Sequence, residues 1–178
     1  MITVLFGGSR PNGNTAQLTK FALQDLEYQW IDVTQHQFKP IRDVRHTAET
    51  ITSYDDDYLP ILDKILASDT IIFASPVYWY SISAPLKAFI EHWSETLQDK
   101  RYPNFKAQMA EKDFRVILVG GDCPKIKAKP AITQMKYSLD FLGATLNGYI
   151  IGTAEKPGDI MKDNYALALS LIHISEPT

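Results

Sequence analysis

The chain opens with ITVLF at residues 2–6 and runs directly into GGSRPNGNT at residues 7–15. An apolar run of five residues that ends at glycine is typical of a short buried strand. Beyond the loop, apolar side chains recur at helical spacing through residues 18–26, with Asn14 or Thr15 as the N-cap. This stretch therefore predicts a strand, a tight polar loop and a helix.

The same alternation of strands and helices continues along the chain. Further strands are predicted at residues 28–33, 70–74, 115–119 and 145–151, and further helices at 58–65, 85–97, 132–142 and 160–171. Residues 34–54 show no clear period and are predicted to form a long loop. Alternating elements imply right-handed crossovers and a parallel sheet covered on both faces. Five strands favour a flavodoxin-like three-layer α/β sandwich, with a five-stranded parallel sheet in the order 2-1-3-4-5.

The predicted elements fill one domain, which we expect to span residues 1–170. The last eight residues, 171–178, break the helical pattern and resemble translated sequencing-adapter sequence. We expect this tail to be non-native or disordered.

Composition narrows the functional classes. The net charge of −3 is mild, and Cys123 is the only cysteine, which excludes an internal disulfide, a cysteine-based zinc site and a thiolate-ligated iron–sulfur cluster. The basic residues 125–129 are predicted to be a solvated helix start rather than a nucleic-acid patch. No apolar run approaches the ~18 residues of a membrane span, and we expect no signal peptide before the first strand. We expect a cytoplasmic protein without a membrane, nucleic-acid or metal partner.

The loop at residues 7–15 lies where the first strand meets the first helix. Unpaired N–H groups and the positive end of the helix dipole converge there on an anion. The loop lacks the Gly-Lys-Ser/Thr of a Walker A motif and the Gly-x-Gly-x-x-Gly of a dinucleotide fold. It therefore predicts a phosphate site, with a purely structural glycine turn as the alternative.

A second unusual loop, SPVYWY at residues 75–80, follows the third strand. Three consecutive aromatic side chains cannot all point into a core, because successive extended residues alternate in direction. They predict a platform for a flat ring, with packing of Trp79 and Tyr80 beneath residues 34–54 as the alternative. In the order 2-1-3-4-5, ligands bind at the switch point between strands 1 and 3. A third loop, residues 120–123, follows the neighbouring strand, so one ligand with a phosphate and an aromatic ring would span all three.

Three blocks resemble the NADPH-dependent FMN reductase family: GSRPNGNT at residues 8–15, ASPVYW at 74–79 and SAPLKAFI at 83–90. The resemblance implies a cluster-free member, because the cysteines that hold an iron–sulfur cluster in some relatives are missing. It implies that three groups of residues contact the FMN phosphate, the isoalloxazine ring and the other side of that ring. These are Ser9, Arg10, Asn12, Gly13, Asn14 and Thr15 for the phosphate, Pro76, Val77, Tyr78 and Trp79 for the isoalloxazine, and Gly120, Gly121 and Asp122 for its other side.

The activity implied by the resemblance is transfer of electrons from NADPH or NADH through FMN to a quinone, a nitro or azo compound, or another flavin. The flavin carries this chemistry, so no protein acid, base or nucleophile is expected. The resemblance also implies a homodimer or homotetramer. The alternatives are a flavodoxin-type electron carrier that binds FMN without nicotinamide turnover, and a sensor for another phosphorylated aromatic. Carriers tend to be strongly acidic, and a net charge of −3 favours the enzyme.

Overall fold

The five strands form one parallel sheet. The computed structural model describes residues 1–41, 43, 46 and 55–173. The strands are β1 (Ile2–Phe6), β2 (Tyr28–Asp32), β3 (Thr70–Pro76), β4 (Asp113–Gly120) and β5 (Leu146–Thr153). Every neighbouring pair is parallel, and the order is β2-β1-β3-β4-β5. The predicted flavodoxin-like sheet is therefore confirmed.

Eight described helices connect and cover these strands. They are α1 (Asn14–Ala22), α2 (Tyr58–Leu66), α3 (Ala84–Glu91), α4 (Trp93–Thr96), α5 (Phe105–Ala110), α6 (Pro124–Lys127), α7 (Lys129–Leu142) and α8 (Asn164–His173), with short 3-10 turns at Val33–Gln35 and Asp159–Lys162. The helices α4, α5 and α6 have at most six residues each, which is too short for an apolar period to reveal. Within the described ranges, no helix is long and apolar enough to cross a membrane.

Two predicted helices differ from the structure. The helix expected over residues 85–97 is interrupted at His92. There the Glu95 N–H donates a hydrogen bond to the His92 carbonyl, three residues earlier in the chain. The helix expected from residue 160 starts only at α8, because the Asp163 carboxylate accepts the Ala166 N–H at 3.1 Å and thereby caps that helix. α8 continues to His173, so the helical pattern does not break at residue 171 as expected.

Parts of two predicted segments cannot be compared with the structure. Of the predicted loop at residues 34–54, positions 42, 44, 45 and 47–54 lie outside the described residues, and so do positions 174–178 of the predicted tail.

Alternating side chains of the strands build two cores. One face of the sheet, including Leu5, Ile71 and Phe73, packs against α2, α3 and α7. The opposite face, including Val4 and Ile72, packs against α1 and α8. Successive strand residues point to opposite faces, so a strand covered on both sides must be apolar throughout. The result is the predicted three-layer sandwich.

The carboxyl ends of the strands position the candidate site. Gly7 N–H donates to the Ala74 carbonyl, Val77 N–H to Val119, and Ala154 N–H to Gly120, each at 2.8 Å. These bonds lie where the strands end, so the loops after β1, β3, β4 and β5 begin at the same edge of the sheet.

Candidate functional site

A cavity of about 220 Å³ lies at this edge. Ten of the thirteen residues predicted to bind the cofactor line it: Ser9, Arg10, Gly13, Asn14, Thr15, Pro76, Val77, Tyr78, Gly120 and Gly121. Its remaining walls come from Phe6, Gly8, Val119, Ala154 and Glu155. The three loops that were predicted to meet at the switch point therefore line one cavity.

The start of α1 gives this first cavity its anion-binding character. Gly13 is the N-cap, and none of the described side chains caps the helix. The first-turn N–H groups of an α-helix have no partner within the helix, and they attract anions together with the dipole. The Ser9 and Thr15 hydroxyls and the Arg10 guanidinium add polar groups to the same wall. This end of the cavity has the donors that a phosphate needs.

The glycines of the loop at residues 7–15 serve close packing. A Cβ on Gly7 would lie 2.3 Å from Ser83 Oγ and 2.6 Å from the buried Leu86 side chain. A Cβ on Gly8 would lie 2.3 Å from the Phe6 ring. Neither glycine has a positive φ. Gly7 and Gly8 are therefore needed for close packing, as the structural alternative predicted. This packing role does not conflict with anion binding at the start of α1.

Asn14 connects the phosphate loop to the loop after β5. Its side chain is almost fully buried, with 6% of the residue exposed. The amide Nδ2 donates to the Lys156 carbonyl at 2.9 Å, and Oδ1 accepts the Gly158 N–H at 2.9 Å. The Asn14 side chain thus holds residues 156–158 next to the cavity, which is a structural role in addition to the predicted phosphate contact.

The aromatic loop forms a tight turn that projects into solvent. Tyr78 and Ser81 pair as an antiparallel bridge, and between them Trp79 and Tyr80 have φ values of 47° and 63°. Left-handed backbone costs energy for residues other than glycine. Trp79 is 95% exposed, which contradicts the alternative that it packs beneath another part of the chain. The Tyr78 hydroxyl lies 3.0 Å from Ser9 Oγ, so the aromatic loop meets the phosphate loop directly.

A second cavity of about 170 Å³ adjoins the first and shares Val77, Gly120 and Gly121 with it. Trp79 and Asp122, both predicted cofactor contacts, line this second cavity and not the first. Its other walls are Tyr80, Pro124, Lys127 and Ala128. The first cavity therefore adjoins the start of α1, and the second, next to it, adjoins the aromatic turn.

A hydrogen-bonded network borders the second cavity. Asp122 accepts a hydrogen bond from the Tyr80 hydroxyl at 2.9 Å and pairs with Lys127 Nζ at 2.7 Å. Hydrogen bonds from Lys127 and Tyr80 lower the pKa of Asp122, and the bond to Asp122 raises the pKa of Lys127. Both groups are therefore charged at neutral pH.

Sequence reasoning differed from the structure at a few positions of the site. Asn12 lines neither cavity, and its carbonyl accepts the Gln17 Nε2–H at 2.9 Å. Ala154, Glu155 and Lys127 were missed. The signal for Ala154 and Glu155 was available, because residues after a fifth parallel strand must reach the same edge as the other loops. Lys127 is four residues beyond the third loop, and the short helix α6 brings it back to the second cavity.

The site geometry agrees with the family match of the chain. The profile of the NADPH-dependent FMN reductase family matches residues 1–122. The chain belongs to this family. The uncapped helix start suits the FMN phosphate, and the exposed aromatic turn across the shared wall suits its flat ring. FMN as cofactor, NAD(P)H as electron donor and oxidoreductase activity, all expected from the sequence, are confirmed.

Three relatives illustrate the similarity, two of them over nearly the whole chain. A protein of Bacillus subtilis (strain 168) named as an NAD(P)H-dependent FMN-containing oxidoreductase, YwqN, is 42% identical over 167 residues, which are 94% of this chain and 92% of that protein. An NADPH:quinone oxidoreductase of Arabidopsis thaliana is 33% identical over 123 residues, or 69% of this chain and 56% of that protein. A solved Bacillus subtilis structure described as Trp repressor binding protein is 37% identical, with a TM-score of 0.82 over 99% of this chain and 100% of that chain.

Proposed function

We propose that this FMN reductase passes electrons from NAD(P)H to a quinone, a nitro or azo compound, or another flavin, with a quinone as the first acceptor to test. The observation that carries the proposal is that two adjoining cavities, one at the start of α1 and one beside the exposed aromatic turn, share Val77, Gly120 and Gly121 as lining residues. Bound FMN would supply the redox chemistry by accepting a hydride from the nicotinamide and releasing two electrons to the acceptor. Quinone reduction is supported by the Arabidopsis thaliana relative.

The chain would hold the cofactor at two ends. Ser9, Arg10 and residues 13–15, which line the first cavity, would bind the phosphate, with the backbone N–H groups of the α1 start as the central donors. Pro76 to Trp79 would line one side of the ring, and Gly120 to Asp122 the other. The absence of side chains on Gly120 and Gly121 lets the backbone form the wall shared by both cavities.

We assign no acid, base or nucleophile of the protein to the reaction. The protein would orient the two substrates and leave one face of the ring accessible beside the exposed Trp79. Nicotinamide and acceptor would then enter in turn at the same face, which predicts ping-pong kinetics. We further propose a cytoplasmic homodimer or homotetramer, in which a second subunit covers exposed aromatic side chains such as Tyr137 and Phe141 on α7.

The carrier alternative makes a different prediction from the enzyme. A carrier docks on charged partners through a strong field of its own, whereas the net charge of this chain is only −3. Family membership also favours nicotinamide turnover.

An anaerobic titration separates these functions. The purified protein is saturated with FMN, and the visible flavin absorbance is followed after addition of NADPH, then NADH, then a water-soluble quinone. We expect bleaching by a nicotinamide nucleotide and recovery of the colour with the quinone. Absence of bound flavin after FMN addition would contradict both the enzyme and the carrier, and a flavin that stays oxidised with both nucleotides would favour the carrier.

A further inference from the structure

The wall of the second cavity carries one lysine, Lys127, with a defined place. It extends from the end of α6, and Nζ lies 2.7 and 2.8 Å from the two Asp122 carboxylate oxygens. The same ammonium lies 5.7 Å from the centre of the Tyr80 ring. Because Tyr80 also donates to Asp122 at 2.9 Å, carboxylate, phenol and ammonium form one closed network. The ammonium group is therefore oriented even though it is accessible to solvent.

Backbone strain is concentrated around this network. Among the described residues, the non-glycine positions with positive φ are Trp79, Tyr80 and Cys123. Trp79 and Tyr80 form the turn on one side of the cavity, and Cys123 joins Asp122 to the helix that carries Lys127. Strained backbone persists where the surrounding structure determines it, and it clusters at ligand sites. Two loops bring Tyr80, Asp122 and Lys127 together, and each loop contains at least one residue in an energetically unfavourable left-handed backbone conformation.

The position of the second cavity indicates which part of the cofactor would meet this ammonium. The first cavity contains the start of α1, where the phosphate would bind, and the second adjoins it at Val77, Gly120 and Gly121, which line both cavities. The flavin ring would therefore extend into the second cavity. The polar rim of the ring carries nitrogen and oxygen atoms that can accept a hydrogen bond from a cation or interact with its charge.

Building on the proposed function, we propose that Lys127 is a positioning residue that places a positive charge at the polar rim of the flavin ring and stabilises the reduced cofactor. Asp122 and Tyr80 hold the ammonium in place, and Asp122 limits the strength of its field. Reduction breaks the C4–H bond of the nicotinamide and moves the hydrogen with both electrons to the ring. The nicotinamide leaves with one more positive charge, and the ring retains one more negative charge until it takes up a proton from solvent. A cation at the rim favours that charged state.

The proposal is tested by the equilibrium reduction potential of the bound flavin rather than by turnover. We expect Lys127→Met to weaken the binding of reduced FMN about tenfold relative to oxidised FMN, which lowers the potential of this two-electron couple by about 30 mV. Asp122→Asn should shift the potential upward, because it removes the opposing negative charge. Lys127→Arg should retain most of the wild-type potential. The potential is measured against a reference dye in an anaerobic spectroscopic titration.

Lys125→Met is the matched control. Lys125 lies on the same helix, and its Nζ faces Asp163 at 3.7 Å and the Tyr165 ring, away from both cavities. Loss of this positive charge should leave the flavin potential unchanged. Equal shifts of the flavin potential for Lys125→Met and Lys127→Met would overturn the proposal. They would show that the potential depends on the total charge of the protein and not on a contact between Lys127 and the polar rim of the ring.

The outcomes also separate this inference from the proposed function. If the wild-type protein binds FMN and is reduced by NAD(P)H, but Lys127→Met has the wild-type potential, only the role of Lys127 is wrong. If the wild-type protein binds no FMN, the proposed function itself fails. Binding of oxidised FMN by each variant confirms that the site has folded.

Discussion

The phosphate loop at residues 7–15 and the aromatic turn at residues 78–81 face the same site but are stabilised in opposite ways. The phosphate loop ends in buried side chains, and Asn14 fastens it to residues 156–158 by hydrogen bonds. The aromatic turn exposes Trp79 almost completely and has two residues in left-handed conformations.

This difference indicates which half of the site exists before the cofactor arrives. The phosphate loop is part of the packed domain. The polar groups of the buried Asn14 side chain already have hydrogen-bond partners in the apo-protein, so burying them is not costly. The aromatic turn leaves a large apolar surface in water, and the bound ring would cover that surface. Substitutions in the phosphate loop should therefore affect stability and binding together, whereas substitutions in the turn should affect binding alone.

The largest effect is expected for Asn14→Ala. The change leaves the Gly158 N–H and the Lys156 carbonyl without their partner at a buried position, which should lower the free energy of unfolding by about 2 to 3 kcal/mol. FMN affinity should fall as well. Urea denaturation of the apo-protein and flavin fluorescence titration measure the two effects. Asn12→Ala is the control, because Asn12 is exposed and should change the stability by less than about 0.5 kcal/mol.

A charge at the same position tests the phosphate assignment. Asn14→Asp keeps an acceptor for the Gly158 N–H but places a carboxylate beside the α1 start. Like charges near a protein surface repel by about 1 to 4 kcal/mol at contact distance, so we expect FMN affinity to fall by roughly tenfold or more. Riboflavin, which lacks the phosphate, should lose much less affinity. Equal losses for FMN and riboflavin would mean that the substitution damages the loop and does not repel a phosphate.

The aromatic turn should respond in the opposite direction. Trp79→Asn replaces an exposed side chain at φ 47° with a residue that tolerates left-handed backbone, and it should raise the free energy of unfolding by on the order of 0.5 kcal/mol. FMN affinity should decrease. Trp79→Ala removes the same ring but keeps the backbone strain, so it should weaken FMN without stabilising the protein. A large loss of stability in both variants would show that the turn is part of the packed domain after all.

The smallest effect on stability is expected at Asp122. Its ion pair with Lys127 is exposed, and such pairs contribute little to folding. Asp122→Asn should leave the urea midpoint of the apo-protein at pH 7 unchanged within error. Any small stabilisation from the lowered pKa of Asp122 is present above its ordinary value of 3.8 and is lost as the pH falls through the lowered value. The two proteins should therefore converge in acid, and a difference that grows there would contradict this assignment.

Much of the site could be predicted because the relevant signals are local. Glycine-rich and aromatic runs that follow apolar strands identify loops at one edge of a parallel sheet, and this reasoning found ten residues of the first cavity. The same local signals do not divide the predicted residues between two cavities, although Trp79 and Asp122 line only the second one. This reasoning also missed Lys127, because a four-residue helix has no periodic pattern to detect.

The sequence by itself determined the strand order, the three layers and the loops that meet at the site, because apolar periodicity and chain connectivity decide these features residue by residue. Only the tertiary structure decided that Asn14 fastens the loop after β5, that His92 interrupts a helix, and that Tyr80, Asp122 and Lys127 form one network. These contacts join residues whose separation in space follows from packing of the whole domain, and no local pattern in the chain encodes such distances.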